Sequence, residues 1–264
     1  MGTFVLNTNS PAALFAVLGY LSGSVLYARV FARLFGNRDI LSHSRDQNPG
    51  TANAFMYGGF MCGLCTLVFD LLKGFLPVYL FVKSGGMDCG APAAAMVIAA
   101  PVLGHAFPLF HGFRGGKGIA VSFGCLAGLY PELDALLTLA FFFIVFSTAV
   151  KITPNLHRTA FAYIFALVSV ITRVDSSPAV LGFAVITAIV LLKLFTSGEK
   201  RDRLEVKLFG FSDTFVRDRR RTWRRGTGPG RGHGAARPPR RHAQPLYPAE
   251  QGAGREDRPA LYRL

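Results

Sequence analysis

Residues 178–196 read Pro178-Ala-Val-Leu-Gly-Phe-Ala-Val-Ile-Thr-Ala-Ile-Val-Leu-Leu-Lys-Leu-Phe-Thr196, an apolar run interrupted by a single charge at Lys193. The length of that run decides the fold class, because about 20 residues of helix cross the ~30 Å hydrocarbon core of a bilayer. Comparable runs lie at about 10–35, 55–82, 92–110, 134–151 and 158–173. A shorter apolar segment, 118–130, follows a glycine cluster and stops at Pro131, so it reads as a short tilted span or as a re-entrant half-helix. The expected architecture is therefore an all-α polytopic transmembrane bundle of six or seven spans. Composition agrees, with 51% hydrophobic and 17% charged residues, where a soluble chain carries ~25% charged. The 24 Phe and the aliphatic runs also exclude a disordered chain. Met1–Asn9 has no basic start and leads into a full span, so no cleaved signal peptide is expected.

The formal charge of +14 is unevenly spread: residues 217–264 hold 13 Arg and 4 acidic residues, a net +9, which leaves +5 for residues 1–216. Lys and Arg are retained on the cytoplasmic side of short connections. If 118–130 crosses, the connections 36–54, 111–117 and 151–158 share a side with the C-terminus and carry six Lys/Arg, against two for 83–91, 131–134 and 173–177. That asymmetry predicts seven spans, one of them short, with the N-terminus outside and the C-terminus in the cytoplasm. Cys62 and Cys65 form a Cys-x-x-Cys inside an apolar helix, and with Cys89 and Cys125 they read as small hydrophobes, neither a disulfide framework nor a zinc site.

Three features carry chemistry. The first is 104–120, where Gly115, Gly116 and Gly118 allow successive amide hydrogens to face one anion, Lys117 adds a point charge, and a helix starting near Gly118 adds its dipole. This reads as a phosphate cradle, and not as a Walker A loop, which would need Gly at His111 and Ser or Thr at Gly118. The second is the polar loop 42–53, in which Asn48, Pro49 and Gly50 form a turn and Thr51 and Asn53 either cap the helix expected from about Ala54 or supply donors to a ligand. The third is Asp70 and Lys73, three apart on one helical face inside a span. An ionised residue there costs roughly 2.5–3.5 kcal/mol on insertion scales, so the two pair with each other, face a polar site, or do both.

These residues resemble the bacterial membrane acyl-phosphate:glycerol-3-phosphate acyltransferases of the PlsY type over roughly residues 10–210. The family's Gly-His-x-Phe-Pro-x-Phe-x-x-Phe-x-Gly-Gly-Lys-Gly is met at every fixed position from Gly104 to Gly118. Its Asp-x-x-Lys-Gly-x-x-Pro is met by Asp70, Lys73, Gly74 and Pro77, its Asn-x-Gly-x-x-Asn by Asn48, Gly50 and Asn53, and its Gly-Ser by Gly23 and Ser24. The chain departs from many members at Asp46 and Gln47, where they have Ser-Gly, and at Met56, where they have Arg. It also lacks the final His-x-x-Asn-x-x-Arg-Leu, for which 193–204 offers neither His nor Asn.

The resemblance implies transfer of a fatty acyl group from acyl phosphate to the primary hydroxyl of glycerol 3-phosphate, giving lysophosphatidic acid and phosphate with no cofactor or metal. It implies that His105 and Lys117 are catalytic, His105 as acceptor of the hydroxyl proton or as a brace for the loop. Asn48, Gly50, Asn53, Asp70, Lys73, Arg114, Gly115, Gly116 and Gly118 would bind substrate. The competing readings are a small transporter or channel for an anionic solute and an inactive family member.

The expected domains are 1–210, the membrane acyltransferase-like part, and 217–264, an Arg/Pro/Gly-rich tail that is disordered or a frame-shifted end. That tail suits anionic lipid, while Trp223 and Tyr247 are too sparse to stack nucleic acid. The implied surroundings are the lipid bilayer of a bacterial plasma membrane, with no nucleic acid and no obligate protein partner.

Overall fold

The computed structural model describes residues 9–36, 48–197 and 204–208. The expected tail 217–264, the first half of the loop 42–53 with Asp46 and Gln47, and residues 198–203 of the stretch expected to carry the last motif lie outside the described residues. The described chain is helical: α1 (Asn9–Ser24), α2 (Tyr27–Leu34), α3 (Thr51–Gly58), α4 (Phe60–Lys83), α5 (Ala91–Ala106), α6 (Ile119–Ala127), α7 (Asp134–Ser147), α8 (Asn155–Arg173) and α9 (Ser177–Thr196). Short 3₁₀ turns stand at Gly86–Cys89 and Leu109–His111. Local chemistry sets several boundaries. Gly59, at φ +84°, separates α3 from α4, and prolines sit in the first turns of α5 and α9, where a missing amide hydrogen costs nothing.

Among the described residues, four segments are long and apolar enough to cross a membrane: Pro11–Leu34, Phe60–Lys83, Ala91–His111 and Ser177–Thr196. Their lipid-facing sides carry exposed Leu14, Val17, Leu76, Leu80, Leu192 and Phe195, an apolar exterior suited to hydrocarbon and not to water. The segment expected at 118–130 is a helix of nine residues, about 14 Å at 1.5 Å per residue. The expected span 134–151 is cut short: α7 ends at Ser147, and Val150–Thr153 forms strand β1, which pairs antiparallel with β2 (Glu205–Leu208). This two-stranded ribbon is an addition to the helical bundle that the sequence predicts. Its partner segment lies beyond the last helix, so no local pattern announces it.

Helices cross most closely where glycines meet. A Cβ on Gly23 of α1 would stand 2.1 Å from the Pro101 carbonyl oxygen of α5, and one on Gly104 of α5 would stand 2.1 Å from the Tyr20 carbonyl oxygen of α1. The same reciprocity joins α4 to α6, where Gly74 faces the Val121 carbonyl oxygen and Gly124 faces that of Leu71. In lipid, where apolar side chains have no water to escape, helices associate through close van der Waals packing and interhelical hydrogen bonds, and small residues let their backbones approach. The largest buried cluster gathers Val78, Ile98, Leu126, Leu139, Tyr163 and Phe183, while Ala12 packs with Phe81, Ala94 and Val97 at the outset of α1. Lys193, near the end of α9, stands over the Phe107 ring at 4.9 Å, so the last helix finishes at the end of the bundle where the glycine loop lies.

Candidate active site

The helix that opens the chain breaks between α1 and α2 at Val25 and Leu26. The break frees the Val25 carbonyl, and Lys73 of α4 fills the gap: its Nζ donates to the Val25 oxygen at 2.7 Å. The same ammonium pairs with Asp70 Oδ1 at 2.8 Å and lies 2.9 Å from His105 Nδ1. All three side chains are buried, with Asp70 1%, Lys73 3% and His105 3% exposed. Thr51 Oγ1 reaches the other Asp70 oxygen at 3.4 Å. The pairing of Asp70 with Lys73 is thus real, and it also faces a polar site.

The loop after α5 is clamped to α1. Tyr20 donates its hydroxyl to the Phe107 carbonyl at 2.8 Å, and the Leu109 amide donates to Ser24 Oγ at 3.3 Å. The chain then turns through Gly112 and Phe113, both at positive φ, and passes back over the end of α5. Here the glycines do something other than the sequence led us to expect. The Gly116 amide donates to the His105 carbonyl at 3.0 Å, so it is spent inside the loop and does not face an anion. A Cβ on Gly115 would stand 1.9 Å from that same carbonyl oxygen, and one on Gly116 would stand 2.3 Å from His105 Nε2. These two positions are glycine because the loop lies directly on His105. Of the three, Gly118 alone has positive φ, +78°, where it caps α6.

Beside this cluster opens a cavity of about 380 Å³, whose lining includes Asn48, Gly50, Thr51, Asp70, His105, Lys117 and Gly118. Phe55, Leu67, Ile119, Val121 and Phe123 give the same cavity apolar lining. Of the residues expected at the site, Asn48, Gly50, Asp70, His105, Lys117 and Gly118 therefore meet at one cavity. Lys73 lies behind Asp70 and His105, and Gly115 and Gly116 back the histidine. Asn53 braces the turn, donating from Nδ2 to the Asn48 carbonyl at 2.8 Å. Arg114 is exposed and does not line the cavity.

The helix expected from Ala54 begins at Thr51 behind Gly50 with no side-chain cap, so Thr51 and Asn53 serve the site and the turn in place of the helix end. The aromatic and aliphatic lining escaped sequence reasoning, since Phe55, Leu67 and Phe123 look like any other apolar helix residues. Among the described residues no group of three or more His, Cys, Asp or Glu side chains converges as a metal site would require. Chemically, a lysine, hydrogen-bond donors and hydrocarbon side chains lining one cavity suit a molecule with an anionic head and an acyl chain.

Residues 13–204 match the family model described as glycerol-3-phosphate acyltransferase. The glycerol-3-phosphate acyltransferase of Pseudoalteromonas translucida (strain TAC 125) is 39% identical over 134 residues, covering 51% of this chain and 64% of that protein. The protein of the same description from Pseudomonas putida (strain GB-1) is 45% identical over 117 residues, 44% of this chain and 60% of its own length. The chain thus spans somewhat less than two thirds of these relatives. Among solved structures, the glycerol 3-phosphate form of PlsY (YgiH), an integral membrane glycerol 3-phosphate acyltransferase, superimposes with a TM-score of 0.59 at 26% identity, covering 69% of this chain and 88% of that one. Its lysophosphatidic acid form gives a TM-score of 0.56.

Proposed function

Because the chain belongs to the glycerol-3-phosphate acyltransferase family, we propose that it is a membrane enzyme that transfers a fatty acyl group from acyl phosphate to the primary hydroxyl of glycerol 3-phosphate, in the plasma membrane of a bacterium. The observation that carries this reading is the mixed lining of one cavity: Lys117 and His105 of the family's glycine motif line it together with the apolar side chains of Phe55, Leu67, Ile119, Val121 and Phe123. In the reaction the hydroxyl oxygen attacks the acyl carbonyl carbon, the bond from that carbon to the phosphate oxygen breaks, and the hydroxyl proton leaves on phosphate. The products are lysophosphatidic acid and inorganic phosphate. Phosphate is a competent leaving group, so positioning and charge compensation supply most of the rate.

Lys117 compensates the phosphate charge, and Asn48 and Thr51 supply polar contacts in the same cavity. Met56 stands where many family members carry Arg, yet it is 66% exposed on α3 and does not line the cavity, so the loss of that arginine leaves the described polar lining complete. The bundle is oriented with its N-terminus outside and the glycine loop, β1–β2 and C-terminus in the cytoplasm, which follows the six-to-two distribution of basic residues. Residues 1–210 form the catalytic part.

The test is release of inorganic phosphate from a long-chain acyl phosphate that requires added glycerol 3-phosphate, measured on purified protein. Lys117→Ala removes a charge-assisted contact worth roughly 1.5–3 kcal/mol, so phosphate release should fall about 10- to 150-fold. Wild-type kinetics from that variant would separate the loop from the substrate and remove the enzymatic reading of the cavity.

A further inference from the structure

We infer that Lys73 is a positioning residue that locks the His105 ring in its Nε2–H tautomer, so that His105 meets its ligand as a hydrogen-bond donor and not as a base. An ammonium has three hydrogens and no lone pair. Lys73 Nζ has three partners within hydrogen-bonding distance: the Val25 carbonyl at 2.7 Å, Asp70 Oδ1 at 2.8 Å and His105 Nδ1 at 2.9 Å. The Val25 oxygen can only accept and the Asp70 contact is an ion pair, so a hydrogen remains for Nδ1. A hydrogen on Nδ1 would point at the ammonium hydrogens across 2.9 Å, so Nδ1 accepts and the ring hydrogen stands on Nε2.

Charge favours the same arrangement. One carboxylate, one ammonium and a neutral imidazole sum to zero, which the interior of a membrane bundle tolerates, whereas an imidazolium beside the ammonium would add an uncompensated charge. The tautomer has a direction as well. His105 lines the cavity, and its Nε2 lies 2.3 Å from where a Cβ of Gly116 would be, with Asn48 Oδ1 2.9 Å from the same point. The hydrogen is therefore presented on the side where the glycine loop, Asn48 and the cavity meet. What it can do there is donate to an anionic oxygen. The fixing of one imidazole nitrogen by an orienting partner, so that the other serves the reaction, follows the physical logic of hydrolytic triads, with a lysine in place of a carboxylate and the polarity reversed.

The tautomer stands on geometry alone, while its use in acyl transfer rests on the proposed function, so two readouts are needed. Protein with ¹⁵N-labelled histidine, in detergent micelles, gives ring nitrogen shifts for six histidines, and His105 is identified by the signal lost in His105→Gln. We expect a neutral ring with the hydrogen on Nε2. A ring with the hydrogen on Nδ1, or on both nitrogens, overturns the inference whatever the enzyme does.

Removal of Lys73 alone would strand Asp70, so the lock is broken with the double substitution Asp70→Asn with Lys73→Met, whose folding is checked by gel filtration and thermal unfolding. That variant should populate both tautomers, and kcat should fall by at least about tenfold with KM for glycerol 3-phosphate moved much less. A folded double variant that keeps the wild-type tautomer overturns Lys73 as the lock. Within the enzyme, His105→Gln, which can still present an amide donor near the Nε2 position, should keep more activity than His105→Asn; the reverse order overturns the donor role. Wild-type protein with the expected tautomer but no glycerol 3-phosphate-dependent phosphate release would instead refute the proposed function and leave the lock in place.

Discussion

Gly116→Ala adds one methyl group to the site and should cost far more activity than its size implies. The new Cβ would stand 2.3 Å from His105 Nε2 and 2.9 Å from Asn48 Oδ1, where non-bonded heavy atoms prefer ~3.5–4.0 Å. The ring must therefore retreat by more than about 1 Å. It has little freedom to do so, because Nδ1 is tied to Lys73 at 2.9 Å and the His105 carbonyl holds the Gly116 amide at 3.0 Å. Overpacking of this kind costs ~1–3 kcal/mol of stability, and a positioned group displaced by ~1 Å can cost on the order of 10²-fold in rate.

Gly116 is not among the glycines at positive φ. An alanine there suffers no backbone strain, contrary to what its place in the motif suggests, so the contact itself is what the substitution tests. Gly85→Ala is the matched control: Gly85 has φ +74° and nothing within 4 Å. Its alanine should lose roughly 1–2 kcal/mol of stability to strain while leaving catalysis unchanged. Glycerol 3-phosphate-dependent phosphate release and thermal unfolding, measured on both proteins, separate the two effects. Wild-type kcat and KM from Gly116→Ala would refute the placement of the His105 ring against the loop.

Gly104→Val, whose Cβ would meet the Tyr20 carbonyl oxygen at 2.1 Å, should abolish the folded bundle by forcing α1 from α5; a monodisperse peak on gel filtration would show that the two helices can part. In a background without Cys62, Cys65, Cys89 and Cys125, a cysteine at Asp88 should react with an impermeant thiol reagent in intact cells and one at Ser197 should be shielded, and the opposite pattern would invert the orientation. Deletion of 217–264 leaves β2 in place and should preserve phosphate release, with weaker retention on vesicles of anionic lipid as the expected loss; failure of the truncated protein to fold would show that the tail packs on the bundle.

Much of the fold is legible because apolar length is a direct physical signal: the runs at 178–196, 92–110 and 10–35 correspond to segments of the structure long enough to cross. What stayed hidden depends on partners distant in the chain. Four residues at 150–153 cannot declare themselves a strand when their partner is 205–208, on the far side of two helices. The break between α1 and α2 likewise has its partner elsewhere, in the Lys73 ammonium that takes up the freed Val25 carbonyl. At the site, motif spacing indicated Asn48, His105 and Lys117, and helical periodicity paired Asp70 with Lys73. The mistaken element was the work of the glycines. A glycine that bares its amide to an anion and a glycine that lets a histidine lie against the backbone make the same demand, the absence of a Cβ, and only coordinates distinguish them.

That distinction also decides where the function can be read cleanly. Lys73 joins three helices at once, holding α1 through Val25, its own helix through Asp70, and α5 through His105. Two hydrogen bonds and an ion pair offset the cost of an ammonium in the membrane interior, and removal of any partner leaves a buried charge or donor unmatched, a loss of several kcal/mol in comparable buried pairs. Substitutions within the cluster therefore confound folding with chemistry. Lys117 differs, because it sits on the loop at the cavity wall between Gly116 and Gly118, outside every helix. Under the proposed function a change there alters the charge at the cavity without touching the glycine crossings of the helices, so a kinetic effect at Lys117 would bear on the substrate phosphate, and the same effect at Lys73 first on the bundle.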